Sequence, residues 1–437
     1  MSEHAREVDV VVVGGGPAGC AAAIEAAREG ALVALVHEGI GGRSLHTQVA
    51  FRSLERETSG AARELVREAE WRAMRARARE RAKAWSERTR LRLEDAGVEL
   101  ASGHATFVAE REVAAGARRF RAGQIVLALG TEPIALEGLA FDGARVLAPG
   151  ELIDLPALPR RALVVGGDAG GAEVADLLIG LGVEVTWIMD ELGILPSFER
   201  ELAEGIGDVL MGRGVKLVHG KRALALAEHG PGVRVTLDGN KTYEADLAVV
   251  AIGGRAPSFG PVAMEDGWIA TDAHGRTTVK SILAVGECTG RTHDVASAEV
   301  MGRAIGRLSA GRESEPSDPA LFDPARPPRV VFTRPPIAQV GLTPERVRGR
   351  EVEVRALRFE EGLFGLLAGA GETDQAKGAL SVVIDEDGRV AGGTAIGPGA
   401  AEIASAIAFA MGQPASRLAH GAMQPSALSL LARAIAG

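Results

Sequence analysis

Cysteine is nearly absent. Cys20 and Cys288 are the only two in 437 residues and lie far apart in the chain, which excludes a disulfide framework and a zinc-knuckle pattern. Aromatic residues make up 4% of the chain, with a single tyrosine, so a set of base-stacking platforms is excluded. Positive charge is short as well. Lys and Arg number 49 against 58 Asp and Glu, giving a net charge of −9, and such a chain is ill suited to neutralising nucleic-acid phosphates. No apolar run reaches the 18 or more residues of a membrane span. The opening residues, MSEHAREVDV, are charged where a signal peptide is apolar, so a cytoplasmic location is expected. What the chain has in quantity is glycine, 57 residues, and an apolar fraction of 46%, enough for two to four domains with real cores.

The glycines are organised. A β-branched run at Val8–Val13 meets GGGPAG, then an alanine-rich, helix-favouring stretch at Ala21–Glu29, Gly30 at a helix C-cap, and an apolar run at Ala31–Val36. The layout recurs 152 residues later: Ala162–Val165, GGDAGG, a helical stretch to Leu181, Gly182, and Val183–Met189. Gly14 maps to Gly166, Gly19 to Gly171, Gly30 to Gly182 and Glu38 to Asp190, so one βαβ unit is present twice.

Between the copies, Ala61–Ala96 has neither Gly nor Pro and is dense in arginine. Trp71, Met74, Ala78, Ala82 and Trp85 recur at helical spacing, which predicts an amphipathic helix. Its basic face reads first as a solvated surface, in a chain with six Lys and 43 Arg, and second as a docking face for an acidic partner. Glu313–Pro328 reads as a linker. Strands at Arg329–Thr333 and Ala379–Ile384 and helices near Ala401–Met411 and Ser426–Ile435 then predict a third, α+β domain.

Gly14-x-Gly16-x-x-Gly19 after a strand and before a helix has a mechanical reason. The first glycine makes the turn, the second lets a pyrophosphate approach the backbone, and the third lets helix and strand pack. The helix N-terminus attracts the phosphate charge. Glu38, 19 positions beyond Gly19, is placed to take a ribose hydroxyl pair.

Further motifs follow in order: LALGTEP at 127–133, AIGGRAP at 251–257, RTTVKSILAVGECTG at 276–290, VVFTRPPIAQVGLT at 330–343 and GTAIGPGAAE at 393–402. With GGGPAG they resemble the class I pyridine nucleotide–disulfide oxidoreductases, the family of dihydrolipoamide dehydrogenase, glutathione reductase and mercuric reductase. The resemblance implies an α/β homodimer with two Rossmann-like domains, for FAD and NAD(P), and a C-terminal α+β dimerisation domain. It places the split FAD domain at 1–148 and 268–318, the NAD(P)-type domain at 149–267 and the dimerisation domain at 319–437. It assigns FAD contacts to Gly14, Gly16, Pro17, Ala18, Gly19, Glu38, Gly42, Arg43, Ala105, Gly130, Gly286 and Glu287. Glu287 stands where the family usually carries Asp, an acceptor one methylene longer. The second nucleotide would meet Gly166, Gly167, Gly171, Asp190 and Gly253.

The departures lie where the chemistry is. The family's redox-active C-x4-C pair belongs after Gly41-Gly42, but the chain reads GGRSLHTQVAFRS, with Ser44 and Val49 at the cysteine positions. Neither can cycle through a disulfide. The family's C-terminal His–Glu dyad is matched by MQPSALS, which places Gln424 and Ser429 there, with His420 four residues before Gln424. Glu173 matches a family glutamate that pairs with a lysine beside the flavin, and Arg52 is the nearest cation in the lysine's register. In the second glycine turn the middle position is Asp168. Two unit charges about 5 Å apart repel by roughly 3 kcal/mol at an effective dielectric near 20, on the order of a hundredfold in affinity. Gly167 and Gly170 offer a route by which the loop reshapes and turns Asp168 outward.

These features together lead to an FAD-dependent oxidoreductase taking hydride from NADH or NADPH, Asp190 favouring NADH. Its acceptor is then not a disulfide but a quinone, a small electrophile or a redox protein. Two alternatives stay open: a non-catalytic FAD-binding protein, and a flavoenzyme reduced by a protein donor such as ferredoxin. No metal site is expected.

Overall fold

The computed structural model describes residues 5–58, 64–292, 294–311, 327–362, 378–419 and 426–436. The chain divides into two compact units, one of Met1–Ser53, Met74–Pro133 and Gly254–Pro324, the other of Leu54–Ala73, Ile134–Gly253 and Ala325–Gly437. In the second unit, residues 134–253 are grouped with the C-terminal residues.

In the first unit, strand β1 (Arg6–Val13) lies between β2 (Val33–His37) and Arg118–Leu127, with Glu99–Ser102 beyond β2 and Ile282–Ala284 beside Arg118–Leu127, all parallel. A parallel strand covered on both faces needs apolar residues in succession, and Val10, Val11 and Val12 are fully buried. Helix α1 (Pro17–Arg28) starts four residues before the alanine run. Proline sits at its first position, where a missing N–H leaves nothing unpaired. The small residues of α1 admit a second backbone. A Cβ on Gly302 of the helix Val295–Ser309 would stand 2.4 Å from Ala18 O, and one on Gly306 2.5 Å from Ala22 O.

Helix α2 (Gly42–Glu55) begins at the glycine pair, and α3 (Glu68–Asp95) fills most of the stretch predicted as an amphipathic helix. Trp71, Met74 and Ala78 are buried as expected, but Trp85 is 39% exposed. The inward line runs instead through half-buried Ser86 and buried Thr89 and Leu93. Ser86 Oγ donates to Ile40 O at 2.8 Å, so it is this side chain that meets the facing loop. The outer face carries local ion pairs, Arg72 with Glu68 at 2.8 Å and Arg90 with Glu87 at 2.6 Å, the pattern of a solvated helix.

In the second unit, β3 (Arg161–Val165) lies between β4 (Glu184–Ile188) and Leu247–Val250 in a parallel sheet completed by Lys216–Val218 and Val146–Leu147, with α4 (Ala169–Gly180) as its crossover helix. A separate antiparallel sheet orders Arg329–Val331, Ile337–Gly341, Val390–Ile396, Ala379–Ile384 and Glu353–Arg358, backed by the apolar helix Ala400–Ala410. The class is α/β with mixed sheets, as the motifs imply.

Candidate functional site

At the carboxyl ends of the first unit's strands lies a cleft of about 780 Å³. Gly14, Gly16, Pro17, Ala18, Glu38, Gly42, Arg43, Ala105, Gly130, Gly286 and Glu287 all line it. Gly19 does not. A Cβ there would stand 1.9 Å from Gly14 O, so this glycine serves helix–strand packing. Gly14 adopts φ +115°, and a Cβ on it would meet Ala128 O at 2.1 Å. Gly16, the N-terminal cap of α1, has nothing within 4 Å of where a Cβ would be, which leaves open space in front of the helix amides.

Three histidines escaped the motif reading, since single histidines carry no spacing signal. His104 Nδ1 lies 2.8 Å from Glu38 Oε1 at the exposed end of the cleft. On α2, His46 Nε2 lies 2.7 Å from Ser86 Oγ, which also lies 2.8 Å from Ile40 O. His37, at the end of β2, has a buried Nδ1 without a hydrogen bond, and burial pushes its pKa below the usual 6.5.

The wall formed by α2 carries Ser44, His46 and Gln48 and no sulfur. Ser44 Oγ faces Glu287 Oε2 at 3.5 Å, the outer limit of a hydrogen bond. Cys20 and Cys288 are both buried with free thiols. Burial pushes the Cys20 thiol up to about 12 and Cys288 up to about 11, so neither supplies thiolate at neutral pH. Ser429 Oγ donates to Ser426 O at 2.7 Å, while His420 and Gln424 lie outside the described residues.

The second glycine turn repeats the first. Gly166 has φ +120°, a Cβ on it would meet Ala251 O at 2.1 Å, and one on Gly171 would meet Gly166 O at 2.0 Å. Asp168, the N-terminal cap of α4, has φ −82° and ψ −178°, against −75° and −179° at Gly16. The loop has kept the shape of the first copy. Asp190 Oδ1 accepts from Leu192 N at 3.0 Å, and Gly253, with φ +98°, accepts from Ile134 N at 3.1 Å through its carbonyl. Glu173 Oε1 accepts from Phe332 N at 3.0 Å, in the second unit, whereas Arg52 belongs to the first.

Residues 8–302 match the pyridine nucleotide–disulphide oxidoreductase family, and residues 327–420 match its dimerisation domain. The chain belongs to this family. It is 27% identical to the dihydrolipoyl dehydrogenase of Geobacillus stearothermophilus, over 94% of this chain and 91% of that protein. It is 30% identical to the Chlamydia muridarum dihydrolipoyl dehydrogenase, over 67% of this chain but only 63% of that protein's length. The solved structure of LpdA from Mycobacterium tuberculosis superposes with a TM-score of 0.86 at 26% identity, covering 98% of this chain and 99% of that one.

Members of the family bind FAD and use NAD(P)H, and the first cleft of this oxidoreductase fits FAD. The open space at Gly16 suits a pyrophosphate on the α1 N-terminus, and Glu38 presents a carboxylate at ribose distance along the chain. Among the described residues no helix is long and apolar enough to cross a membrane.

The depressed pKa of His37 has a pH consequence. The folded state holds the ring neutral, whereas the unfolded chain takes a proton near pH 6.5. Acidification through 6.5 therefore favours unfolding, and the effect vanishes above neutrality. The side chain is only half-buried, so the slope is a fraction of the roughly 1.4 kcal/mol per pH unit that one full proton gives. Thermal midpoints at pH 7.5 and 5.5 check this: the wild type loses more on acidification than His37→Gln. Equal losses would remove His37 from the account.

Proposed function

We propose that this protein is an FAD-dependent oxidoreductase that passes electrons to an acceptor other than a disulfide: a quinone, a small electrophile or a redox protein. The observation that carries this reading is the composition of α2, where Ser44 and Val49 stand at the family's cysteine positions, together with two thiols held protonated by burial. Bound FAD supplies hydride acceptance and the release of electrons singly or in pairs, chemistry that needs no sulfur.

The chain's own part is to hold and orient. In this reading the α1 amides and Gly16 take the pyrophosphate, Glu38 takes the ribose, and Glu287 takes ribitol hydroxyls. Ser44, His46 and Gln48 give the acceptor a polar, protic wall where a disulfide would otherwise lie. In the same reading Arg52 and Glu173, in register with the family's lysine–glutamate pair, stand beside the hydride-receiving position. The protein acts as a homodimer, which the dimerisation-domain match supports, and Phe409, 89% exposed on the helix Ala400–Ala410, offers an apolar side chain to a second copy.

The test separates acceptor from donor. Flavoprotein reduced anaerobically with dithionite is mixed with a water-soluble benzoquinone, lipoamide or glutathione disulfide, and the return of flavin absorbance is followed. Rapid reoxidation by the quinone and none by either disulfide is expected. Reoxidation by lipoamide at a comparable rate would overturn the proposal. A flavin inert to all three would favour the non-catalytic alternative.

A further inference from the structure

Beyond the identity of the acceptor, the second glycine turn bears on the source of the electrons. We infer that Asp168 bars a nicotinamide dinucleotide from the second Rossmann-like fold, so that electrons reach the flavin from a donor that does not bind through this turn.

The two copies in one chain make the comparison internal. At the first and third glycines the same close approaches recur: a Cβ on Gly14 or Gly166 would meet, at 2.1 Å, the carbonyl just past a strand's end, and one on Gly19 or Gly171 would meet the turn's own carbonyl at 1.9 and 2.0 Å. The loop after each second strand also closes over the turn in the same way. Gly41 N donates to Gly15 O at 2.8 Å, and Leu195 N donates to Gly167 O at 2.7 Å. The middle position alone differs in character. Space that is open at Gly16 carries a carboxylate at Asp168, on backbone angles that agree within ten degrees.

The turn is held at Gly166 and Gly167. Trp187 Nε1, from β4 beneath the turn, donates to Gly166 O at 2.7 Å, where the first copy has Leu35, which has no such donor. A Cβ on Gly167 would stand 2.0 Å from Gly193 O, so the turn is held from below and from above. Among the described residues the Asp168 carboxylate has no hydrogen-bond or ion-pair partner, and it does not cap α4. Its charge therefore stands unneutralised at the helix N-terminus that a pyrophosphate would need.

Equilibrium binding of NADH to the purified flavoprotein tests this without turnover, read by calorimetry or by quenching of tryptophan emission. The wild type is expected to show no saturation at micromolar NADH. Asp168→Gly is expected to bind about a hundredfold more tightly than the wild type, at unchanged FAD content. Asp168→Asn, which keeps the volume and removes the charge, should fall between the two, and it stands in if the glycine variant fails to fold. Micromolar binding by the wild type would overturn the inference. So would variants that bind no more tightly than it does.

Discussion

Asp176→Asn is expected to destabilise the second unit by about 3–5 kcal/mol, the usual cost of removing one member of a buried charge cluster. Asp176 is fully buried on α4. Its Oδ2 accepts from Arg334 Nε at 2.9 Å, its Oδ1 accepts from Arg213 Nη1, and its backbone carbonyl accepts from Arg334 Nη2 at 2.9 Å. Arg334 completes its fork on Thr58, donating from Nη1 to the carbonyl at 2.9 Å and to Oγ1 at 2.8 Å. Gly180 leaves room for this guanidinium, since a Cβ there would lie 2.2 Å from Arg334 Nη2. Without the carboxylate, two guanidinium groups share a pocket with no counter-charge. Urea unfolding followed by circular dichroism measures the loss. A change below about 1 kcal/mol, the scale of an exposed pair, would show that water reaches the cluster.

The second large effect is Gly16→Asp, which installs in the first turn the residue already present in the second. The backbone tolerates it: φ is −75°, and a Cβ has nothing within 4 Å, so folding should be unaffected. A carboxylate in front of the α1 amides repels the FAD pyrophosphate, and FAD affinity should fall at least a hundredfold. Flavin content after purification and quenching of flavin fluorescence on titration report it. Retained affinity would show that the middle position tolerates charge, at Asp168 as at Gly16.

Much of the fold was legible because it is written in short periods. The burial of Val10–Val12, the glycine turn and the repeat at 152 residues each rest on a residue's immediate neighbours in the chain, where sterics and backbone hydrogen bonding leave few choices. Where a choice remained, the sequence misled. Trp85 fits a helical stripe as well as Ser86 does, and only the folded chain, with Ser86 Oγ on Ile40 O and Trp85 39% exposed, shows which of them faces inward.

The candidate site shows the same division. Gly14, Gly16 and Glu38 announce themselves by spacing, because a dinucleotide constrains them through one local turn. His46, His104 and the Asp176–Arg334 pair carry no such mark, since their partners are brought together from distant stretches of chain.

Sequence by itself determined the doubled βαβ architecture, the family, and the loss of both cysteines from α2, because these are matters of residue type at a given position. Tertiary structure alone decided that the two remaining thiols are buried and protonated, that Trp187 pins the second turn, and that Asp168 stands in it without a partner among the described residues. Burial, solvation and charge pairing depend on which distant groups the fold brings within a few ångströms, and no local pattern encodes that.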